Sequence, residues 1–214
     1  MMIRTVRLLL MVSAGTTLSP STPGVAAQST QTHVDHIMSG FPGAPNGAAL
    51  LTVAEADAAL AVEHARLAGA GNDRTDTGPM ANHSRHVVRI LDASALASGP
   101  GSGMGVGPAA RAIAEHAELA AQGAPETVRT HAGHVATAAR AVAARADAMV
   151  QIARRVTPAL DYQTAADMVR QLQGLAAQLT AGADANGDGQ ISLAEGGLEH
   201  VRTHMGLLVT AAGQ

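Results

Sequence analysis

Ten histidines and no cysteine set the chemistry open to this chain. Without thiols, disulfides, iron–sulfur clusters, thiolate zinc sites and cysteine nucleophiles are excluded. Six of the histidines recur in matched order. Residues 61–68 read AVEHARLA and residues 113–120 read IAEHAELA. Downstream of the first lies the pair His83 and His86, and downstream of the second the pair His131 and His134. His64 and His116 stand 52 positions apart and the two pairs 48, a difference that four residues of loop absorb. Two helix hairpins of one design, each carrying three imidazoles, describe this pattern economically.

On a helix, an i, i+3 spacing puts both rings of a pair on one side. His64 falls in an apolar stripe with Val53, Ala56, Leu60 and Leu67, and His116 in one with Ala109, Ala112 and Leu119. His83 and His86 continue into Ile90, and His131 and His134 into Ala138, Val142 and Met149, so all six share the inward face. Each lies roughly 6–10 Å below a hairpin tip at 1.5 Å rise per residue. With both tips at one end of an up-down-up-down bundle, the six meet in one interior pocket. Buried imidazoles need partners. A copper, nickel, zinc or cobalt ion supplies them. A bis-histidine haem, a hydrogen-bonded network without metal, and a pH-sensing switch are the other readings of the same cluster. Glu63 and Glu115, repeated beside His64 and His116, are candidates to orient the rings. His33 and His36 form one further motif without an assigned role, and His200 and His204, at i, i+4 with Met205 beside them, are read either as a second imidazole pair or as facing solvent.

Residues 184–195 read DANGDGQISLAE. Asp184, Asn186 and Asp188 occupy positions 1, 3 and 5 of a twelve-residue stretch, Gly189 stands at position 6 where the chain must turn sharply, and Glu195 closes it. This order resembles an EF-hand calcium loop, with flanking helices over about 162–211. The resemblance implies Ca2+ held by Asp184, Asn186 and Asp188, the Gln190 carbonyl, Ser192 directly or through water, and both oxygens of Glu195. Ile191 takes the position that tethers such a loop to a partner strand. Gly196 and Gly197 depart from the pattern and cost ~2 kcal/mol of helix propensity, so the exit helix begins loosely or bends. The recurring Glu-His-Ala and His-x-x-His segments over residues 50–150 also resemble small His-rich metal-binding proteins exported by some bacteria. That likeness implies transition-metal binding without catalysis at His64, His83, His86, His116, His131 and His134.

The elements that must carry these residues are helices. Hydrophobic residues make up 47% of the chain, yet it has one Phe, one Tyr and no Trp, so alanine dominates and an all-β fold is excluded. The fold class expected is all-α: a four-helix up-down bundle of two similar hairpins, plus a C-terminal single EF-hand helix-loop-helix. Helices are expected over 52–69, opened by a Thr52/Glu55 capping box, and over 79–95, 108–123, 125–157, 162–180 and 195–211. Residues 98–107 hold five Gly in ten and read as a flexible connection. The organisation is then a signal peptide over 1–27, a Pro/Gly-rich arm over 28–50, the His-rich bundle over 51–158 and the EF-hand module over 159–214. Arg4 and Arg7 ahead of the apolar run 8–12, with Val25-Ala26-Ala27 beyond, form an export signal cut near Ala27. Its loss takes the formal charge from −3 to −5.

The 14 basic residues are all Arg and are outnumbered by 17 acidic ones, so no basic footprint for nucleic acid exists. Glu-x-x-His, His-Glu-x-x-His and Gly-x-Ser-x-Gly motifs are absent. The sequence thus describes an exported calcium-binding protein, periplasmic or secreted, whose His-rich bundle binds or buffers a transition metal. It is not an enzyme and has no membrane partner after cleavage. A metal- or haem-dependent redox or hydrolytic enzyme, and a calcium-stabilised interaction module without transition metal, are the alternatives.

Overall fold

The computed structural model describes residues 23–71 and 73–213. Most of the expected export signal, residues 1–22, lies outside the described residues, and the expected cut near Ala27 falls within a helix. Seven α-helices, and no strand, form among the described residues: α1 (Pro23–Met38), α2 (Leu50–Ala68), α3 (Gly78–Leu91), α4 (Val106–Ala120), α5 (Glu126–Arg155), α6 (Tyr162–Ala181) and α7 (Leu198–Ala212). The chain is all-α, with one helix more than the sequence led us to expect. Residues 28–38, read as part of an arm, continue α1, and only 39–49 form a turn-rich connection.

Alanines at helical spacing account for the packing. Ala54, Ala58, Ala61, Ala65 and Ala68 are buried along α2, and Ala132, Ala136, Ala139, Ala143 and Ala146 along α5. Such small side chains let helix axes approach closely. Leu50, Ile90, Ile113, Met149, Leu172 and Leu208 fill the remaining space. Local signals set several ends. The Asp161 carboxylate accepts the Thr164 amide at 2.9 Å and caps α6. The Thr52/Glu55 box does not form: α2 already begins at Leu50, and Glu55 instead accepts the Arg202 guanidinium of α7 at 2.8 Å.

Helix α5 is the longest, 30 residues, or about 45 Å at 1.5 Å per residue. It lies against α4, with Arg111 donating to Asp147 at 3.1 Å and Arg140 paired with Glu118. Beyond its C-terminal end, the Thr77 hydroxyl, just before α3, donates to the Pro158 carbonyl at 3.0 Å. α3 and α4 therefore follow one another along α5. They meet where Gly105, at φ +99°, passes so close to the Leu91 carbonyl that an added Cβ would lie 2.7 Å from its oxygen. The turns joining α2 to α3 and α4 to α5 thus sit at opposite ends of α5. This differs from the expected bundle with both tips at one end.

The connection over 92–105 sets this direction. Its Ser102 amide and hydroxyl donate to the Asp57 carboxylate at 2.8 and 2.6 Å, and Asp57 is only 2% exposed. The Gly-rich run is docked on α2 rather than free. Three further helices complete the molecule, and α6 is tied to α2 by the Gln173 side chain, which donates to the Ala65 carbonyl at 3.2 Å. α1 is tied to the end of α4 by the buried Thr30 hydroxyl, which donates to the Ala120 carbonyl at 2.9 Å. α7 is tied to α5 by Arg145, which donates to the Glu195 and Gly196 carbonyls at 3.0 and 3.3 Å. Among the described residues no helix is long and apolar enough to cross a membrane.

Candidate metal centres

Nine of the ten histidines meet in three separate groups: His33, His36 and His116; His64, His83 and His86; His131, His134 and His204. In each group one ring nitrogen per residue lies within 4.8 Å of the others. The single interior pocket expected for six imidazoles is corrected to these three triads. Only His64 keeps the pair expected for it. His116 turns away from His131 and His134, which lie on the adjoining helix of its own hairpin, and completes the pair on α1. His204 of α7 takes the vacated place. The end-to-end order of α3 and α4 is the reason, because it carries the His64 group to one end of α5 and leaves His131 and His134 at the other.

The three triads share one plan. A His-x-x-His pair on one helix presents two rings 6.0, 5.7 and 5.9 Å apart, nearly perpendicular at 81°, 84° and 77°. A single histidine from a neighbouring helix enters between them. Its ring is 5.1, 5.3 and 5.7 Å from the first of the pair, at 31°, 40° and 30°. It lies 4.7, 4.8 and 4.6 Å from the second, at 72°, 89° and 73°. The residue after each pair, Ile37, Val87 or Val135, is wholly buried and fixes the helix face. The residue after each single histidine, Ala117, Ala65 or Met205, is buried likewise.

The atoms that converge are Nδ1. His33 and His116 approach to 2.9 Å, His64 and His83 to 3.1 Å, His64 and His86 to 3.3 Å, and His134 and His204 to 3.4 Å. One proton can bridge two such nitrogens and leaves the third without a partner. The Nδ1 atoms of His36 and His131 are indeed buried with no hydrogen bond. A tetrahedral ion with metal–nitrogen bonds of 2.0–2.1 Å has nitrogen–nitrogen edges of about 3.3 Å; the four closest approaches match that spacing, and every ligand nitrogen of a triad lies within 4.8 Å of the other two. All nine rings are half-buried. Burial first, then repulsion from imidazole neighbours, holds His33, His64, His116 and His204 below the ordinary value near 6.5. His86 is lowered by burial, His83 and Arg85. In these five rings the shift favours the neutral form, the one a metal requires.

Glu63 does not orient a ring, because its carboxylate is taken by Arg66 at 2.7 and 2.9 Å. His200 separates from His204 and accepts the Gly197 amide at 3.4 Å, at the start of α7. The sequence reading missed His33, His36 and His204. The signal for the first two was present, since all three pairs read His-x-x-His followed by Ile or Val.

The 184–195 segment forms a closed loop between α6 and α7. Gly189 turns it at φ +83°. Asp184 accepts the amides of Gly187, Asp188 and Gly189 at 2.7–3.1 Å. Glu195 reaches back to the amides of Ala185 and Asn186 and to both the amide and hydroxyl of Ser192. The Ser192 hydroxyl and amide, with those two other amides, hold the Glu195 carboxyl down to about 2. Asn186 donates to Asp188 at 3.0 Å, and the Gln190 amide donates to Asp188 at 2.8 Å. Ile191 is 38% exposed, and a single antiparallel bridge joins Gly182 to Gly196. α7 starts only at Leu198, after both glycines. No protein-family model, no curated protein and no solved structure matches the chain.

Proposed function

We propose that this protein binds transition-metal ions at three independent tri-histidine sites and serves as a buffer or store of up to three ions per chain. The observation that carries the reading is the repetition of one triad geometry on three different helix pairs. Chance packing of half-buried rings gives no reason for Nδ1 atoms to converge three times. The all-imidazole donor set favours copper, nickel, zinc or cobalt over calcium, magnesium or manganese. Haem is disfavoured, because ring centroids 4.6–6.0 Å apart leave no room for a macrocycle between two imidazoles. Binding rather than catalysis fits the surroundings: among the described residues no carboxylate is hydrogen-bonded to a triad imidazole to serve as acid or base.

Calcium is the second ion of the proposal and rests on the residue order of 184–195. Asp184, Asn186, Asp188, Gln190, Ser192 and Glu195 would be its ligands, and the ion would displace the loop amides that now engage both end carboxylates. Export rests likewise on the basic and apolar character of the first residues. A cut after Ala27 leaves His33 and His36 on the chain.

Equilibrium dialysis of untagged protein against Co2+, Ni2+, Zn2+ and Cu2+, read by elemental analysis, tests the proposal. Three equivalents are expected, falling to two in each of His64→Ala, His116→Ala and His204→Ala. No uptake, or uptake unchanged in those variants, refutes it. A parallel arm with Ca2+ should lose its own equivalent only in Asp184→Ala and Glu195→Ala.

A further inference from the structure

One triad is built differently from the other two. Phe41, the only Phe in the chain, stands edge-on against two rings of the first triad. Its centroid is 5.3 Å from that of His36 and 5.2 Å from that of His116, at 64° and 67°. Among the described residues the ring contacts of the other two triads involve histidines alone, with neither Phe41 nor the only Tyr, Tyr162, among them. The placement of Phe41 is itself constructed. The chain leaves α1 at Met38 and turns through residues 39–48. Within that turn the Phe41 amide donates to the Ala48 carbonyl at 3.1 Å, and the Phe41 carbonyl accepts the Ala44 amide at 2.9 Å. Gly43 leaves the space the ring occupies, for a Cβ there would fall 2.6 Å from Phe41 Cε1.

An aromatic edge against two imidazoles does two things. It packs against both rings and restrains their motion about the tilt that all three triads share. It also stands on one flank of the site, in the way of the water that must enter when a metal–imidazole bond opens. An ion held there keeps fewer outside ligands and has fewer routes by which a ligand can be exchanged. The other two triads lack this cover.

We propose that the three sites are unequal, and that Phe41 makes the His33/His36/His116 site a slow-exchanging one while the His64/His83/His86 and His131/His134/His204 sites exchange freely. Phe41 is thus a positioning residue that acts through His36 and His116. The proposal deepens the three-site reading and rests on it. A retained ion at this site ties α1 to α4, whereas the other two sites deliver and accept metal.

The test uses the full chain loaded with three equivalents of Co2+ and mixed with excess EDTA in a stopped-flow spectrophotometer. Release is followed by the visible absorbance of the bound ion. Wild type should release two equivalents in a fast phase and one in a phase at least tenfold slower. Phe41→Ala should still bind three ions, with the slow phase accelerated at least tenfold. Gly43→Ala, which pushes the ring aside without deleting it, should do the same. His116→Ala should abolish the slow phase, and His64→Ala should remove one fast equivalent. Three bound ions leaving in a single phase overturn the inference but leave the three-site reading intact. So does a slow phase that survives Phe41→Ala and Gly43→Ala, or one that disappears with His64→Ala instead of His116→Ala. Failure to bind Co2+ at all overturns both.

Discussion

If each triad is complete in itself, removing one should cost one third of the thermal stabilisation that metal gives. The perturbation is the central histidine of each site, in His64→Ala, His116→Ala and His204→Ala. A site that binds only the folded chain adds about 2.7 kcal/mol at a free ion concentration of 100 Kd. In a domain of 150–250 residues each kcal/mol moves Tm by about 2–4 °C, so one filled site is worth about 5–11 °C and three about 16–32 °C. The sites use different helix pairs, α1 with α4, α2 with α3, and α5 with α7, and share no residue, so their increments should add. The assay is differential scanning calorimetry of each variant with and without Zn2+, read as the difference between the two, which cancels the cost of the substitution itself. Two thirds of the wild-type shift should survive in every single variant, and one third in every double. A single variant that erases the whole shift would show that the triads assemble as one unit and refute the reasoning. So would a shift that none of the three alters.

Two further outcomes follow from the described contacts. His33, His64, His86, His116 and His204 all sit below 6.5 in the folded chain. The metal-free folded state thus binds fewer protons than the unfolded one as pH falls through 6.5, so its stability is complete above that pH and declines below it. The urea midpoint should drop between pH 8 and pH 5, and an unchanged midpoint contradicts the burial of the triads. Asp57→Ala removes two hydrogen bonds to a buried carboxylate and leaves the Ser102 amide unpaired. It should cost about 2–4 kcal/mol in urea unfolding, and a loss under about 0.5 kcal/mol would mean the 92–105 connection is not anchored there.

Much of the site was legible because imidazole spacing on a helix is a local property. Three residues of separation place two rings on one side whatever the tertiary fold, so the pairs 83/86 and 131/134 emerged directly. What could not be read was which single histidine each pair would meet. That choice depends on whether the chain reverses between Leu91 and Val106, and a Gly-rich run has no apolar periodicity to say so. The answer is written in Asp57, a lone acid on an apolar stripe whose purpose appears only when Ser102 is beside it. Thr52 and Glu55 show the opposite error. A capping signature was present, but the burial of Leu50 and Leu51 carried the helix one turn further and freed Glu55 for Arg202. The helix over 28–38 was hidden by the polar residues of Gln28–Thr32, which precede a short run that packs against α4. In the 184–195 loop the turn at Gly189 followed from sequence, whereas the delayed start of α7 followed only from its two glycines.

The length of α5 settles how ions at its two ends affect one another. His134 and Arg154 are 20 positions apart, and Arg154 lines one cavity with Asn82 and Arg85, the neighbours of His83 and His86. Twenty residues of helix are about 30 Å. Two divalent charges at that distance repel by about 0.6 kcal/mol in water before screening, and a Debye length of about 8 Å removes nearly all of it. Paired-ion hydrolysis needs metals about 3.5–4 Å apart, so these two ends cannot combine for it. A rigid rod of this span would spare ions at its two poles any charge crowding: loading one pole would leave the other pole's appetite for metal untouched.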